Sequence, residues 1–219
     1  EQIEFFKENG FVGPFNLYGE EEAVGKWTRA KMEMVVSENK PHNSTVLNYD
    51  RHLDCETLSE HIMRPEIVGR LQSLLGEDII CWKSNVFPKY PGDEGTGWHQ
   101  AETFKAGQDV NEPVASLNFD KSDTDDVVTT EVTVWTAFSP AQKEHGCMHF
   151  IPGSHKSWYY DESMALSPPV EAKKHDFFGY DFSECKLDPS WNPDEEDVYE
   201  MAMNAGQFMF FSSKCVHGS

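Results

Sequence analysis

The stretch EVTVWTAF, residues 131–138, alternates without a break: Val132, Val134, Thr136 and Phe138 fall on one side, Thr133, Trp135 and Ala137 on the other. Successive side chains of an extended chain point to opposite faces, so this period, in β-branched and aromatic residues, predicts a strand. Three further stretches carry the same signal: IICWKSNVF (79–87), closed by Pro88 and Pro91-Gly92, MHFI (148–151), before Pro152-Gly153, and QFMFFSS (207–213). Upstream, residues 20–40 show an irregular apolar face (Val24, Trp27, Met32, Val35, Val36) and predict a helix that Pro41 would end. Pro65 opens another helix, with Ile67, Val68, Leu71, Leu74 and Leu75 on one face until Gly76. Helices first, then short strands parted by Gly and Pro turns, predict a mainly β fold: a sandwich or barrel-like core carrying a helical layer. Residues 105–130, 159–174 and the acidic SWNPDEEDVYE (190–200) read as loops, the last a solvated turn rather than a cation site.

A chain of 219 residues predicts a single domain spanning 1–219. It has no apolar run long enough to cross a membrane and no basic-then-apolar leader at the start, so neither a membrane span nor a signal peptide is expected. Eighteen Lys and Arg against 38 Asp and Glu give a net charge of −20, a field that repels phosphate backbones and anionic lipid. Nucleic acid and membrane surfaces are therefore not expected as partners. The five cysteines are odd in number and form no C-x-x-C pair, which argues against a disulfide framework and fits a reducing cytoplasm.

The chemistry concentrates in GTGWHQAETF (95–104) and at His217, beyond the strand of 207–213. Two histidines at the ends of separate strands can converge inside a β-barrel, as they do where two His and one carboxylate hold iron on one face. On a strand, positions i and i+2 share a face, so the carboxylate would follow His99 at position 101. That position is Ala101, and Glu102 points away from the metal. HGCMHFIPGSH (145–155) carries three histidines, but Pro152-Gly153 makes a tight turn and Ser154-His155 are expected on a surface loop. His145 and His149 have no partner at zinc-site spacing.

FPKYPGDEGTGWHQAETF (87–104), NYDRHLD (48–54), HIMRPEI (61–67), KENGFVGPF (7–15), VTVWTAF (132–138), HGCMHFIPGSH and DFFGYDF (176–182) resemble the non-haem Fe(II), 2-oxoglutarate-dependent halogenases of the syringomycin type, within the phytanoyl-CoA dioxygenase-like superfamily. The resemblance implies a double-stranded β-helix (jelly-roll, cupin-like) core. It implies Fe(II), 2-oxoglutarate and chloride as cofactors, O2 as co-substrate, and a phosphopantetheinylated aminoacyl carrier protein (thiolation domain) as partner. It also explains the alanine: without the carboxylate, a coordination position opens that chloride can fill. 2-Oxoglutarate is then oxidised to succinate and CO2, and an unactivated aliphatic carbon receives chlorine in place of hydroxyl.

By the same resemblance His99 and His217 are the metal ligands, and Thr96 and Trp135 lie near 2-oxoglutarate. Ala101, Phe104 and Thr133 line the chloride pocket. Two departures stand against the pattern. The family's arginine for the distal carboxylate of 2-oxoglutarate, and another beside the chloride, follow the second histidine. They are expected beyond Ser219, in C-terminal strands that the given sequence would lack. Residues 105–130, at the mouth of the site, match poorly, so substrate recognition is expected to differ. From another class comes the alternative of a non-catalytic barrel-type binding module that has lost its iron carboxylate.

Overall fold

The computed structural model describes residues 1–38, 40–41, 49–93, 95–101, 131–161 and 182–219. Its organising strand is β5 (Gln207–Phe211), which lies between β1 (Phe11–Asn16) and β2 (Thr133–Thr136), antiparallel to both. The run QFMFF is apolar at consecutive positions because both faces of this sheet are covered. Phe208 and Phe210 pack with Val12 against Phe6 of α1 (Gln2–Asn9) and Ile67 and Leu74 of α4 (Pro65–Leu75). Met209 and Phe211 point the other way, into a cluster with Phe11, Phe150, Met148 and Met201. There Phe11 stacks on Phe150 at 4.8 Å between ring centroids, and Phe150 meets Phe211 at 5.3 Å.

Phe150, Met148 and Met201 belong to a second antiparallel sheet, β4 (Tyr199–Met201), β3 (Met148–Phe150) and β6 (His217–Gly218), in that order. The molecule is thus layered as helices, sheet, sheet. This is the helix-backed, two-sheet arrangement of the cupin-like fold, though no closed barrel forms among the described residues. Two glycines meet local demands of the backbone, one between adjacent strands and one at a helix end. The Cβ of any residue replacing Gly13 would stand 2.5 Å from the Cβ of Met209. α1 ends on Gly10, whose left-handed φ of 84° lets its N–H donate back to the Phe6 carbonyl.

The helical layer is completed by α2 (Glu20–Val36) and α3 (Glu56–Ile62). Its polar tie to the sheet is His61, 8% exposed, which shares hydrogen bonds with the Tyr18 hydroxyl (3.0 Å) and the Thr136 hydroxyl (3.1 Å). Burial, with the fields of Lys26 and Arg64, drives its pKa down to about 4, so the ring stays neutral.

The sequence expectations meet several corrections here. α2 stops at Val36, short of Pro41. Residues 79–87 alternate but form no strand: Asn85 bridges Tyr49, while Ile80 is 87% and Trp82 58% exposed. Alternation alone is not enough without a neighbouring strand to complete the ladder. The acidic run 190–200 is more than a solvated turn. Asp194 accepts the Trp98 indole N–H (2.9 Å), and Tyr199 and Glu200 enter β4. Ser154, expected on a surface loop, is 3% exposed, and its hydroxyl accepts the Val216 N–H (2.8 Å) and donates to the Ile151 carbonyl (2.7 Å). Tyr160, expected in a loop, is buried and bridges Lys186. The expected loop at 105–130 and residues 162–174 lie outside the described residues. All five cysteines are free thiols, and no helix among the described residues is long and apolar enough to cross a membrane.

Candidate metal centre

His217 does not continue β5, as the sequence led one to expect. The chain turns at residues 212–215, where Cys215 N–H donates to the Ser212 carbonyl (2.8 Å), and crosses into the other sheet as β6. His99 lies outside any named strand, yet it forms a bridge with His217. Each backbone N–H donates to the other's carbonyl at 3.0 Å. This reciprocal pair fixes the two residues side by side, with ring centroids 4.2 Å apart.

The imidazole chemistry follows from two short contacts. Nδ1 of His99 lies 2.8 Å from the Gly97 carbonyl, and Nδ1 of His217 lies 2.7 Å from the Cys215 carbonyl. A carbonyl only accepts, so each Nδ1 carries the proton and each Nε2 carries the lone pair. That is the tautomer a metal-binding histidine adopts, oriented by a backbone carbonyl on its far nitrogen. Both rings are buried, 6% and 5% exposed. Burial lowers the pKa of His99 to about 4 despite its hydrogen bonds to backbone, and burial together with the neighbouring His99 holds His217 well below the usual histidine value. Neutral imidazoles need shed no proton before binding a metal.

The walls around the pair are aromatic. Phe182 stacks on His99 at 4.8 Å with 15° between planes, and Phe211 lies 4.7 Å from His217. Such walls exclude water and strengthen every electrostatic contact inside. His149 stands beside the pair, 4.3 Å from Trp98 between ring centroids. No group of three His, Cys, Asp or Glu able to hold a metal occurs among the described residues, so neither a described carboxylate nor His149 completes the set.

Two positions after His99 stands Ala101, where the spacing would have placed a carboxylate. Between it and His99, Gln100 turns aside: fully buried, its amide donates to the carbonyls of Ser157 (2.9 Å) and Lys214 (2.7 Å). Its oxygen accepts the N–H groups of Tyr159 (2.8 Å) and Tyr160 (3.0 Å). Every hydrogen-bonding capacity of this side chain is used, which locks the segment that carries His99 and Ala101 to two others. The Ala101 N–H donates to the Ser213 carbonyl (2.8 Å). Ser213, 2% exposed, has its hydroxyl 3.1 Å from that of Thr133. Thr133 therefore reaches the Ala101 position through one residue. Trp135, on the same face of β2, packs into the cluster between the sheets, while Val132 and Val134 pack on the helix side. Thr96 exchanges backbone hydrogen bonds with Ser219 at 2.6 and 3.1 Å. Phe104 and Glu102 lie outside the described residues.

Arginines are absent from this neighbourhood. Arg29, Arg51, Arg64 and Arg70 are the four of the sequence. They sit in or beside the helical layer, paired with Glu33 and Glu56, with Asp54, with Glu66, and over the ring of Phe15. A groove of about 300 Å³ lined by Glu22, Gly25, Lys26, Arg29, Thr57 and Glu60 also lies in that layer and shares no residue with the histidine pair.

Residues 6–219 match the profile of the phytanoyl-CoA dioxygenase (PhyH) family. The chain belongs to that family. It is similar to the dioxygenase lolE1 of Epichloe uncinata, 25% identical over an aligned stretch of 202 residues, with 86% of this chain and 70% of that one covered. A solved structure of CytC3 with Fe(II) and alpha-ketoglutarate superposes with a TM-score of 0.64 at 29% identity, over 99% of this chain and 68% of that one. The carbocyclase SnoK from nogalamycin biosynthesis, described as non-haem and alpha-ketoglutarate-dependent, shares the fold, with a TM-score of 0.58 at 20% identity over 99% of this chain and 75% of that one. Family and site together make the chain a non-haem iron, 2-oxoglutarate oxygenase-type enzyme, with the cupin-like fold expected from its sequence. Phe182, Gln100 and Ser213 escaped the sequence reading as parts of this site. Phe182 ends the quoted DFFGYDF, but a motif match does not say which ring touches which.

Proposed function

We propose that this chain is an iron- and 2-oxoglutarate-dependent halogenase that chlorinates an unactivated aliphatic carbon of an aminoacyl group held on a phosphopantetheinylated carrier protein. One observation carries the reading. Two buried, neutral histidines present Nε2 lone pairs side by side, and the residue two positions after the first is Ala101, with no described carboxylate joining them. The donor set fits an iron held by two imidazoles with an anion in place of the protein carboxylate. Bound there, iron and 2-oxoglutarate supply the oxidising power that breaks the carbon–hydrogen bond. The residues do the rest. His99 and His217 would hold the metal through Nε2, while their Nδ1–H groups donate to the Gly97 and Cys215 carbonyls. Ala101 would leave the third position without a competing anion, Thr133, assigned to the chloride side on the family resemblance, has its hydroxyl beside that of Ser213, and Phe182 and Phe211 would keep water out. Trp135 and Thr96 are assigned to 2-oxoglutarate and Phe104 to the chloride pocket on the family resemblance. The described arginines give no partner for the distal carboxylate of 2-oxoglutarate.

A tethered substrate suits this chemistry, because chlorine transfer must outrun hydroxyl transfer and remote binding can hold the carbon nearer the chlorine. The test is mass spectrometry of aminoacyl carrier proteins after turnover with Fe(II), 2-oxoglutarate, O2 and chloride, beside the same free amino acids. A chlorinated tethered product is expected, with the free amino acid left essentially untouched, and Ala101→Asp should abolish chlorination by placing a carboxylate where chloride binds. Chlorination that survives Ala101→Asp would refute the site; equal rates on free and tethered substrate would refute the partner. If the protein binds neither iron nor 2-oxoglutarate, it is a binding module instead.

A further inference from the structure

Behind the Ala101 position lies a carboxyl group that the proposed chemistry does not use. Glu131, just before β2, accepts a hydrogen bond from the Ser213 hydroxyl at 3.1 Å, and that hydroxyl is 3.1 Å from the Thr133 hydroxyl. The same Ser213 takes the Ala101 N–H on its carbonyl. Glu131, Ser213 and Thr133 thus form a chain of hydrogen bonds whose inner end is a titratable acid and whose outer end is the hydroxyl assigned to chloride.

We infer that Glu131 couples proton uptake to anion binding beside Ala101: it must hold a proton for the chain of hydroxyls to point at the anion. This rests on the halogenase reading above. The argument is a count of protons. Ser213 and Thr133 each have one O–H. An ionised Glu131 only accepts, so Ser213 donates to it, Thr133 donates to Ser213, and Thr133 turns a lone pair outward. Chloride, which only accepts, then meets an acceptor backed by a negative charge. A protonated Glu131 donates to Ser213, Ser213 donates to Thr133, and the Thr133 proton points outward. One proton reverses the whole chain and removes the repelling charge.

The surroundings favour such a proton. Burial raises the pKa of Glu131 above the usual glutamate value, against the Ser213 hydrogen bond and the field of Lys83, the charged group acting on it among the described residues. A carboxyl raised in this way contributes stability in its protonated form. That contribution is present below the unfolded-state value and is lost as pH rises through the folded one.

The experiment titrates chloride into the anaerobic Fe(II)·2-oxoglutarate protein at several pH values, at fixed ionic strength, following the visible charge-transfer band. The chloride Kd of the wild type should weaken by up to about tenfold per pH unit once Glu131 ionises. Glu131→Gln, whose amide carries no charge and can donate to Ser213 at every pH, should bind chloride with a Kd that no longer changes with pH. A readout free of metal and turnover accompanies it: in thermal unfolding of the apo protein, the Tm of Glu131→Gln relative to wild type should rise between pH 5 and pH 8. A wild-type chloride Kd independent of pH overturns the inference and leaves the halogenase reading standing. A band that never responds to chloride overturns both. Should Glu131→Gln fail to fold, Thr133→Val decides, because it removes the outer hydroxyl. Weaker chloride binding with a reduced pH dependence supports the chain; an unchanged pH dependence refutes it.

Discussion

The helix-backed sheet and the histidine end of the molecule are equally buried but held together in different ways. Around β5, Phe208, Phe210, Met209 and Phe211 are at most 4% exposed, and apart from the His217 ring beside Phe211 they pack on apolar side chains. Around His99 and His217 the exposure is as low, but the cohesion comes from Gln100, Ser154, Ser213 and reciprocal backbone hydrogen bonds. Dispersion and area removed from water are non-directional and tolerate small shifts. Hydrogen bonds do not, and a buried group that loses its partner keeps the whole cost of leaving water. The first region should therefore set stability, the second geometry.

The largest effect expected lies at the histidine end and concerns function alone. His99→Ala or His217→Ala should abolish the charge-transfer band of the anaerobic Fe(II)·2-oxoglutarate protein, since one imidazole cannot hold the metal. Each variant should remain folded, because the helix-side packing of Phe208 and Phe210 is untouched, although His217→Ala also removes the ring beside Phe211. A band that persists in either variant would remove that residue from the metal site.

The second effect reverses the roles. Phe208 is fully buried, 5.4 Å from both Phe15 and Phe210 between ring centroids, on the face backed by α1 and α4. Phe208→Ala should cost about 3–5 kcal/mol in denaturant unfolding, from lost transfer energy and an unfilled cavity. Iron binding at temperatures where the variant is folded should be unchanged. A large loss of iron affinity in the folded variant would show that the two regions are not separable.

The same contrast explains what could be read from the sequence. The core was legible because its signals are local. Five adjacent residues, QFMFF, announce a strand buried on both faces, and Pro65 and Gly76 bracket α4 at both ends. His99 and Ala101 were legible for a similar reason, since both fall within one short motif, whereas the partner His217 was reached only through the expectation that two strand ends converge. The polar scaffolding was not. Glu131 and Ser213 are 82 positions apart, Gln100 and Lys214 are 114 apart, and neither pairing leaves a trace in periodicity. Residues 79–87 failed in the opposite direction, showing a strand's rhythm without the partner that makes one. β4 was hidden because two of its three residues, Tyr199 and Glu200, fall inside the acidic run, and its pairing with the distant β3 leaves no trace in periodicity.

The sharpest probe of the comparison is Gln100, which is as buried as Phe208 and belongs to the other regime. Gln100→Leu keeps the approximate volume and removes both amide functions at once. The N–H groups of Tyr159 and Tyr160 then lose their acceptor, and the carbonyls of Ser157 and Lys214 lose their donor. Some of these groups can turn to water by loosening the segment, so the expected cost is about 1–3 kcal/mol, less than for Phe208→Ala. That loosening moves the flanking residues, His99 and Ala101. Iron affinity in the folded variant should therefore fall by about tenfold, as when a group supporting a metal ligand is lost. Gln100→Leu should thus have the smaller effect on stability and the larger effect on iron binding, measured by denaturant unfolding and anaerobic Fe(II) titration on the same two proteins. If Gln100→Leu binds iron as tightly as wild type, the polar network is only structural, and the geometry of the histidine pair is set by its own backbone bridge.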